Sequence, residues 1–209
     1  MLFQLRENRR ERRRKEEEMD PIETLMTEHR LIERVLAALE AHTARVRAGE
    51  VTERAELERF ARFFAAFADR HHHGKEEEIL FETMVESGFS REAGPIAVML
   101  FDHEQGRALV RRLRDLAARP EPWIVEDARE ADLAALQFSQ GLSAHIRKED
   151  QVLYPMAERR LPEAALQTLA EQVEAHGREH RETERELVEL GESLEARWLP
   201  LAARERREA

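Results

Sequence analysis

No cysteine occurs anywhere in the 209 residues. Disulfides, thiolate metal ligands and a cysteine nucleophile are therefore excluded, and any metal must be held by imidazole and carboxylate donors. Glycine and proline are scarce, at 8 and 7 residues, and aromatic residues make up only 6%. Few turn formers and few β-favouring side chains leave little material for sheet, whereas abundant Ala, Leu, Glu and Arg favour helix. No segment sustains the period-two alternation of a strand. Long apolar runs are missing as well: none would span a bilayer or read as an export signal, so no membrane partner and a cytoplasmic location are expected. Positive charge is in deficit. A formal net charge of -10 argues against nucleic acid as a partner.

What is present is helical periodicity. Residues 1–18 form a charged extension, a solvated helix or a disordered tail. Asp20 and Pro21 then read as an N-cap and first helical residue. A first helix is predicted over 21–48, ending at Gly49. A second runs over 52–87, capped by Thr52 and stopped by Gly88. The third starts at Ser90 or Pro95 and ends at Ala118, before the linker Arg119-Pro120-Glu121-Pro122. The fourth spans 123–160, disturbed near Pro155, and a fifth spans 162–197. Trp123 and Trp198 read as packing anchors near helix ends.

The second and fourth helices repeat each other. His72-His73-Gly74-Lys75-Glu76-Glu77-Glu78-Ile79-Leu80-Phe81 and His145-Ile146-Arg147-Lys148-Glu149-Asp150-Gln151-Val152-Leu153-Tyr154 both read H-x-x-K-E-(E/D)-x-x-L-(F/Y). In a helix, residues four apart share a face, so each copy offers a His–carboxylate pair. The repeat extends upstream. Thr27-Glu28-His29-Arg30 parallels Phe101-Asp102-His103-Glu104, with 43 residues from His29 to His72 and 42 from His103 to His145. Two such hairpins packed together make an up-down four-helix bundle with approximate two-fold symmetry. The fold class expected is all-α: this bundle over 19–161, the charged extension over 1–18 and an additional C-terminal helix over 162–209 packing on it.

The candidate ligands are His29, His72, Glu76, His103, His145 and Glu149. A single His is more often a hydrogen-bonded packing residue, and a Glu run more often a solvated face. A repeated H-x-x-K-E at matched positions is not explained that way. Four imidazoles and two carboxylates over-supply one metal and suit two bridged by Glu76 and Glu149. Iron, manganese or zinc fit such donors. The register within His71-His72-His73 is ambiguous, since His73 pairs with Glu77 as well as His72 pairs with Glu76. Alignment to His145 favours His72, with the small residues Ala61, Ala65 and Ala68 above it, and leaves His71 and His73 flanking.

The segments EHRLIERVL, HHHGKEEEILF, GPIAVMLFDHEQGR and HIRKEDQVLYPMA resemble the bacterial hemerythrin-like (HHE cation-binding) family from about Met19 to Leu161. The resemblance implies a four-helix bundle holding two iron ions with an oxo or hydroxo bridge, and it carries His29, His72, Glu76, His103, His145 and Glu149 onto the ligand positions. One departure stands out: oxygen-carrying members offer two His four residues apart on the third helix, whereas here His103 is followed at that spacing by Arg107. Arg107 cannot bind metal; it either orients a carboxylate or sits on the surface. Fewer protein ligands favour reaction with a small ligand, or iron exchange, over simple oxygen carriage. The reading is a di-iron protein binding oxygen, nitric oxide or peroxide in sensing, storage or stress response. The alternatives are an enzyme detoxifying peroxide or nitric oxide, or a helical interaction protein with a zinc or empty site. His176 and His180 on the fifth helix read as part of a solvated, ion-paired face. Tyr154 is either a redox or hydrogen-bonding neighbour of the cluster or a packing residue, and Phe81 at the matching repeat position favours packing.

Overall fold

The computed structural model describes residues 20–199; the charged extension over 1–18 lies outside them. Helix α1 is Pro21–Arg47. Asp20 caps it, its carboxylate accepting from the Ile22 amide at 2.9 Å, with Pro21 at the first position. Helix α2 covers 55–86 in four segments, Ala55–Phe63, Phe64–His73, Glu76–Leu80 and Phe81–Glu86. The second and third are wider π turns. Helix α3 is Gly94–Ala117. Helix α4 covers 125–160, a π turn at Glu149–Leu153 joining Val125–Lys148 to Tyr154–Arg160. Helix α5 is Glu163–Trp198. No strand occurs among the described residues, and none of their helices is long and apolar enough to cross a membrane.

Two boundaries differ from expectation. Thr52 does not cap α2; Arg54 occupies that place, and its amide is satisfied by Glu121 from the α3–α4 linker at 2.9 Å. Helix α4 begins at Val125, two residues after Trp123. Trp123 instead lies under the Arg54 guanidinium, 3.9 Å from the ring centroid. The disturbance expected near Pro155 is the π turn Glu149–Leu153, which ends two residues before it. Pro155 sits in the first turn of the segment Tyr154–Arg160, where its missing N–H is tolerated.

Helix α1 packs on α4 and α5, α3 on α4 and α2, and α5 runs along α1 and α2. Gly191 lets α5 approach closely: a Cβ there would come within 2.6 Å of the Phe63 ring. The core is divided. One apolar cluster gathers Leu36, Leu39, Phe60, Phe64, Phe138 and Trp198 with their neighbours. The other gathers Ile22, Leu25, Phe81, Met84, Met99 and Leu153. A band of buried polar groups lies between them along the helices.

His42 is buried in the first cluster against Phe60 and Trp198. Burial pushes its pKa down to about 4, Arg197 reinforcing and Glu56 opposing. The folded state therefore binds fewer protons here than the unfolded chain, and stability is lost as pH falls below 6.5 towards 4. Relative to wild type, His42→Leu is expected to gain about 2 kcal/mol between pH 7.5 and pH 5, read by urea unfolding at both pH values. An unchanged difference would show that His42 is not a buried neutral imidazole.

Candidate metal centre

Each copy of the repeated motif carries a π turn that begins at its glutamate, Glu76–Leu80 and Glu149–Leu153. Another π segment, Phe64–His73, precedes the first copy. Such turns close i→i+5 hydrogen bonds and recur at functional sites. They widen the helix, so consecutive side chains diverge by less than the roughly 100° of an α-helix. His72 and His73 consequently both turn inward.

Two groups of potential ligands result, each with donor atoms within 4.8 Å of one another and every member buried: His29, His72, Glu76 and Glu149; and His73, Glu76, His103 and His145. All six residues expected from the sequence are brought together, and His73, expected to flank, joins them. The Glu149 carboxylate lies between the groups: Oε2 is 3.3 Å from His29 Nε2, and Oε1 is 3.0 Å from His145 Nε2 and 3.8 Å from His103 Nε2. Glu76 Oε2 is 3.7 Å from His72 Nε2 and 3.4 Å from His103 Nε2. His103 and His145 bring their Nε2 atoms within 3.1 Å of each other.

The outward nitrogens are held by carboxylates in a pattern that follows the repeat. His72 Nδ1 donates to Glu28 at 2.8 Å, and its counterpart His145 Nδ1 to Asp102 at 3.3 Å. His29 Nδ1 donates to Asp150 at 2.7 Å, and its counterpart His103 Nδ1 to Glu77 at 2.6 Å. A carboxylate on Nδ1 fixes the tautomer and leaves the Nε2 lone pair facing the centre. The motif lysines belong to the same scheme, Lys75 pairing with Glu28 and Lys148 with Asp102. Every polar letter of H-x-x-K-E-(E/D) thus has a place. Imidazole and glutamate point inward, lysine anchors the acid before the other histidine of its own hairpin, and the last acid reaches across to the opposite hairpin. Glu28→Gln is expected to weaken metal binding about 10- to 100-fold, measured by competition with a chromogenic chelator; unaltered affinity would dissociate Glu28 from the centre.

Electrostatics favour a cation at the centre. Burial pushes Glu149 up, but His145, His103 and His29 hold it well below the usual carboxylate range. Burial and the Glu149 charge push Glu76 up, and His72 and His103 hold it down. Burial disfavours charge on His29, yet Asp150 and Glu149 raise it to about 10; against the same penalty, Glu149, Glu76 and Glu77 raise His103 to about 11. Burial and the His103 charge push His73 down to about 3. The carboxylates draw protons onto His29, His103 and His145, and a metal ion would replace those protons. Buried atoms with no hydrogen-bond partner concentrate here: His72 Nε2, both His73 nitrogens, Glu76 Oε2 and both Glu149 oxygens. Orphaned donors of this chemistry, in two groups, fit metal ions.

Arg107 does orient carboxylates. Its guanidinium binds Asp69 at 2.8 Å and Glu77 at 2.6 Å. Glu77 holds His103, and Asp69 lies 3.5 Å from His73 Nδ1. Where the third helix lacks a second imidazole, His73 from α2 supplies one, stacked on His103 with ring centroids 3.8 Å apart.

Tyr154 corrects another expectation. It packs, stacking on His29 at 5.5 Å as Phe81 stacks on His103 at 6.0 Å, but its buried hydroxyl also donates to Glu76 Oε1 at 2.7 Å. No feature of the sequence distinguished that bond from packing. A third group, Glu28, His71 and Glu184, also converges. Lys75 already supplies a cation there, paired with Glu28 and 3.1 Å from His71 Nε2. His176 stacks on His180 at 4.3 Å beside this group, and neither joins a metal-type cluster among the described residues.

The comparisons agree with this geometry. A family model described as the hemerythrin HHE cation binding domain matches residues 20–157, which include every member of both ligand groups. No curated protein and no solved structure matches the chain.

Proposed function

The chain belongs to the hemerythrin HHE cation-binding domain family, and from that premise we propose that it is a non-haem di-iron protein binding a small ligand, oxygen, nitric oxide or peroxide, for sensing, storage or stress response. The observation that carries this reading is the convergence of five imidazoles and two carboxylates, with their orphaned atoms, between two apolar clusters. In this reading His29, His72, Glu76 and Glu149 hold one iron, and His73, Glu76, His103 and His145 hold the other. The all-nitrogen-and-oxygen donor set suits iron. Bound iron supplies reversible redox chemistry and coordination positions open to a small ligand. The protein's own residues do the rest. Asp150, Glu28, Glu77 and Asp102 keep His29, His72, His103 and His145 in the ligating tautomer. The flanking apolar clusters exclude bulk water, and Glu76 and Glu149 balance the metal charge.

Tyr154 favours a second reading, an enzyme that removes peroxide or nitric oxide. Burial and the nearby Glu76 and Glu149 charges raise its pKa well above the usual phenol range, so it keeps its proton. That proton is given to Glu76 Oε1 at 2.7 Å, with His29 Nε2 3.4 Å away, and in this reading the hydroxyl turns its hydrogen bond to a bound small molecule. Two measurements test these readings. Azide added to the iron-loaded protein is expected to shift its near-ultraviolet and visible absorption, and an unresponsive spectrum would contradict an accessible iron pair. Stopped-flow mixing with peroxide then separates them: many turnovers without loss of iron support the enzyme, and one stoichiometric event supports the binder.

A further inference from the structure

A cavity of about 140 Å³ opens between α2, α3 and α4 on the His73 side of the centre. Its walls are apolar, formed by Phe64, Val110, Phe138 and Leu142. His73 and Asp69 line it from α2, and Arg107, Arg111 and Arg114 from α3. The volume is close to the roughly 150 Å³ that lets an apolar protein cavity hold benzene.

Gly106 also lines the cavity, in the interior of α3, where glycine weakens a helix. Close packing does not explain it. A Cβ at Gly106 would meet only the Phe138 ring, at an ordinary 3.6 Å, unlike the 2.6 Å clash that makes Gly191 necessary. The missing side chain leaves open space over Phe138. The lining carries three arginines to one carboxylate, Asp69. Arg107 is matched by Asp69 and Glu77, and Arg111 by Glu104. Arg114 is exposed and has no ion-pair partner among the described residues.

The geometry points to a binding pocket for a small amphipathic carboxylate, with a benzene-sized apolar body against Phe64 and Phe138 and its anionic head on Arg111 and Arg114. Apolar walls exclude a bare inorganic anion, and the guanidinium groups select against a neutral molecule of the same shape. The pocket adjoins the metal centre through His73, but its occupancy does not depend on which metal is bound there.

Benzoate titrated into the full chain by calorimetry, with metal content measured on the same sample, is the test. Saturable binding of one benzoate per chain is expected, at least tenfold tighter than benzyl alcohol or inorganic phosphate. Gly106→Leu fills the space with a better helix former and is expected to weaken benzoate at least tenfold without change in circular dichroism or metal content. Arg111→Gln with Arg114→Gln, both on the surface, is expected to weaken it about tenfold. Absence of saturable benzoate binding, benzyl alcohol or phosphate binding as tightly, or wild-type affinity in both variants would overturn the proposal. Metal stoichiometry reads out separately, so failure of the di-iron reading and failure of this pocket are distinguishable.

Discussion

Glu149→Ala is expected to strip the centre of both metals. The Glu149 carboxylate is fully buried and divides its oxygens between the groups, Oε2 towards His29 and Oε1 towards His145 and His103. No neighbouring carboxylate can replace it. Glu76 is already shared by both groups, and Asp150 and Glu77 are committed to outward nitrogens. Removing Glu149 takes an oxygen donor from one group and leaves the other with less charge to offset a cation. Iron content is expected to fall from about two to well below one per chain, and the loaded protein to lose the stabilisation that bound metal confers. Glu149→Gln, which keeps the shape and removes the charge, should behave alike. The exposed Glu189→Gln, in neither ligand group, should leave iron content unchanged. Full metal retention in Glu149→Ala would show that the carboxylate does not ligate.

His73→Ile should remove one metal and spare the other. Isoleucine is the residue at the matching position of the second repeat, Ile146, a buried member of the first apolar cluster. The substitution therefore tests the imidazole rather than the fold. The group His29, His72, Glu76 and Glu149 is untouched, whereas His103 and His145 lose their third imidazole. About one iron per chain is expected, since the group keeps only His103 and His145 as donors of its own beside Glu76, which it shares with the other iron, fewer than the three that a site of this kind uses. Adding Arg107→His to His73→Ile returns an imidazole to α3 one turn beyond His103, and recovery towards two irons is expected. Two irons in His73→Ile alone would exclude His73 from the centre. Failure of Arg107→His to restore the lost iron would mean that Arg107 is needed more to anchor Asp69 and Glu77 than its place is needed for a ligand.

The bundle was legible because its information is local and periodic. Apolar spacing, the Asp20-Pro21 start and the proline-rich linker mark helices whose observed ends lie within a few residues of expectation. Convergence of His29, His72, Glu76, His103, His145 and Glu149 was legible for another reason: the chain states the same H-x-x-K-E twice, and two matched hairpins bring matched residues to one place. His73 was hidden because a 3.6-residue period turns neighbouring side chains apart, and no residue type announces the π turns that undo this. The roles of Lys75, Lys148, Arg107 and the Tyr154 hydroxyl depend on partners 30 to 78 residues away in sequence. The Glu121 cap on α2 is likewise a tertiary contact, invisible to a search for a capping residue beside the helix.

The central claim is that two irons share one buried set of imidazoles and carboxylates. Elemental analysis of the full chain, purified from iron-replete cells without chelator, tests it most directly. About two irons per chain, with little zinc or manganese, is the result that the two ligand groups predict. Zinc alone, a single iron, or protein that stays metal-free after anaerobic addition of ferrous iron would contradict it.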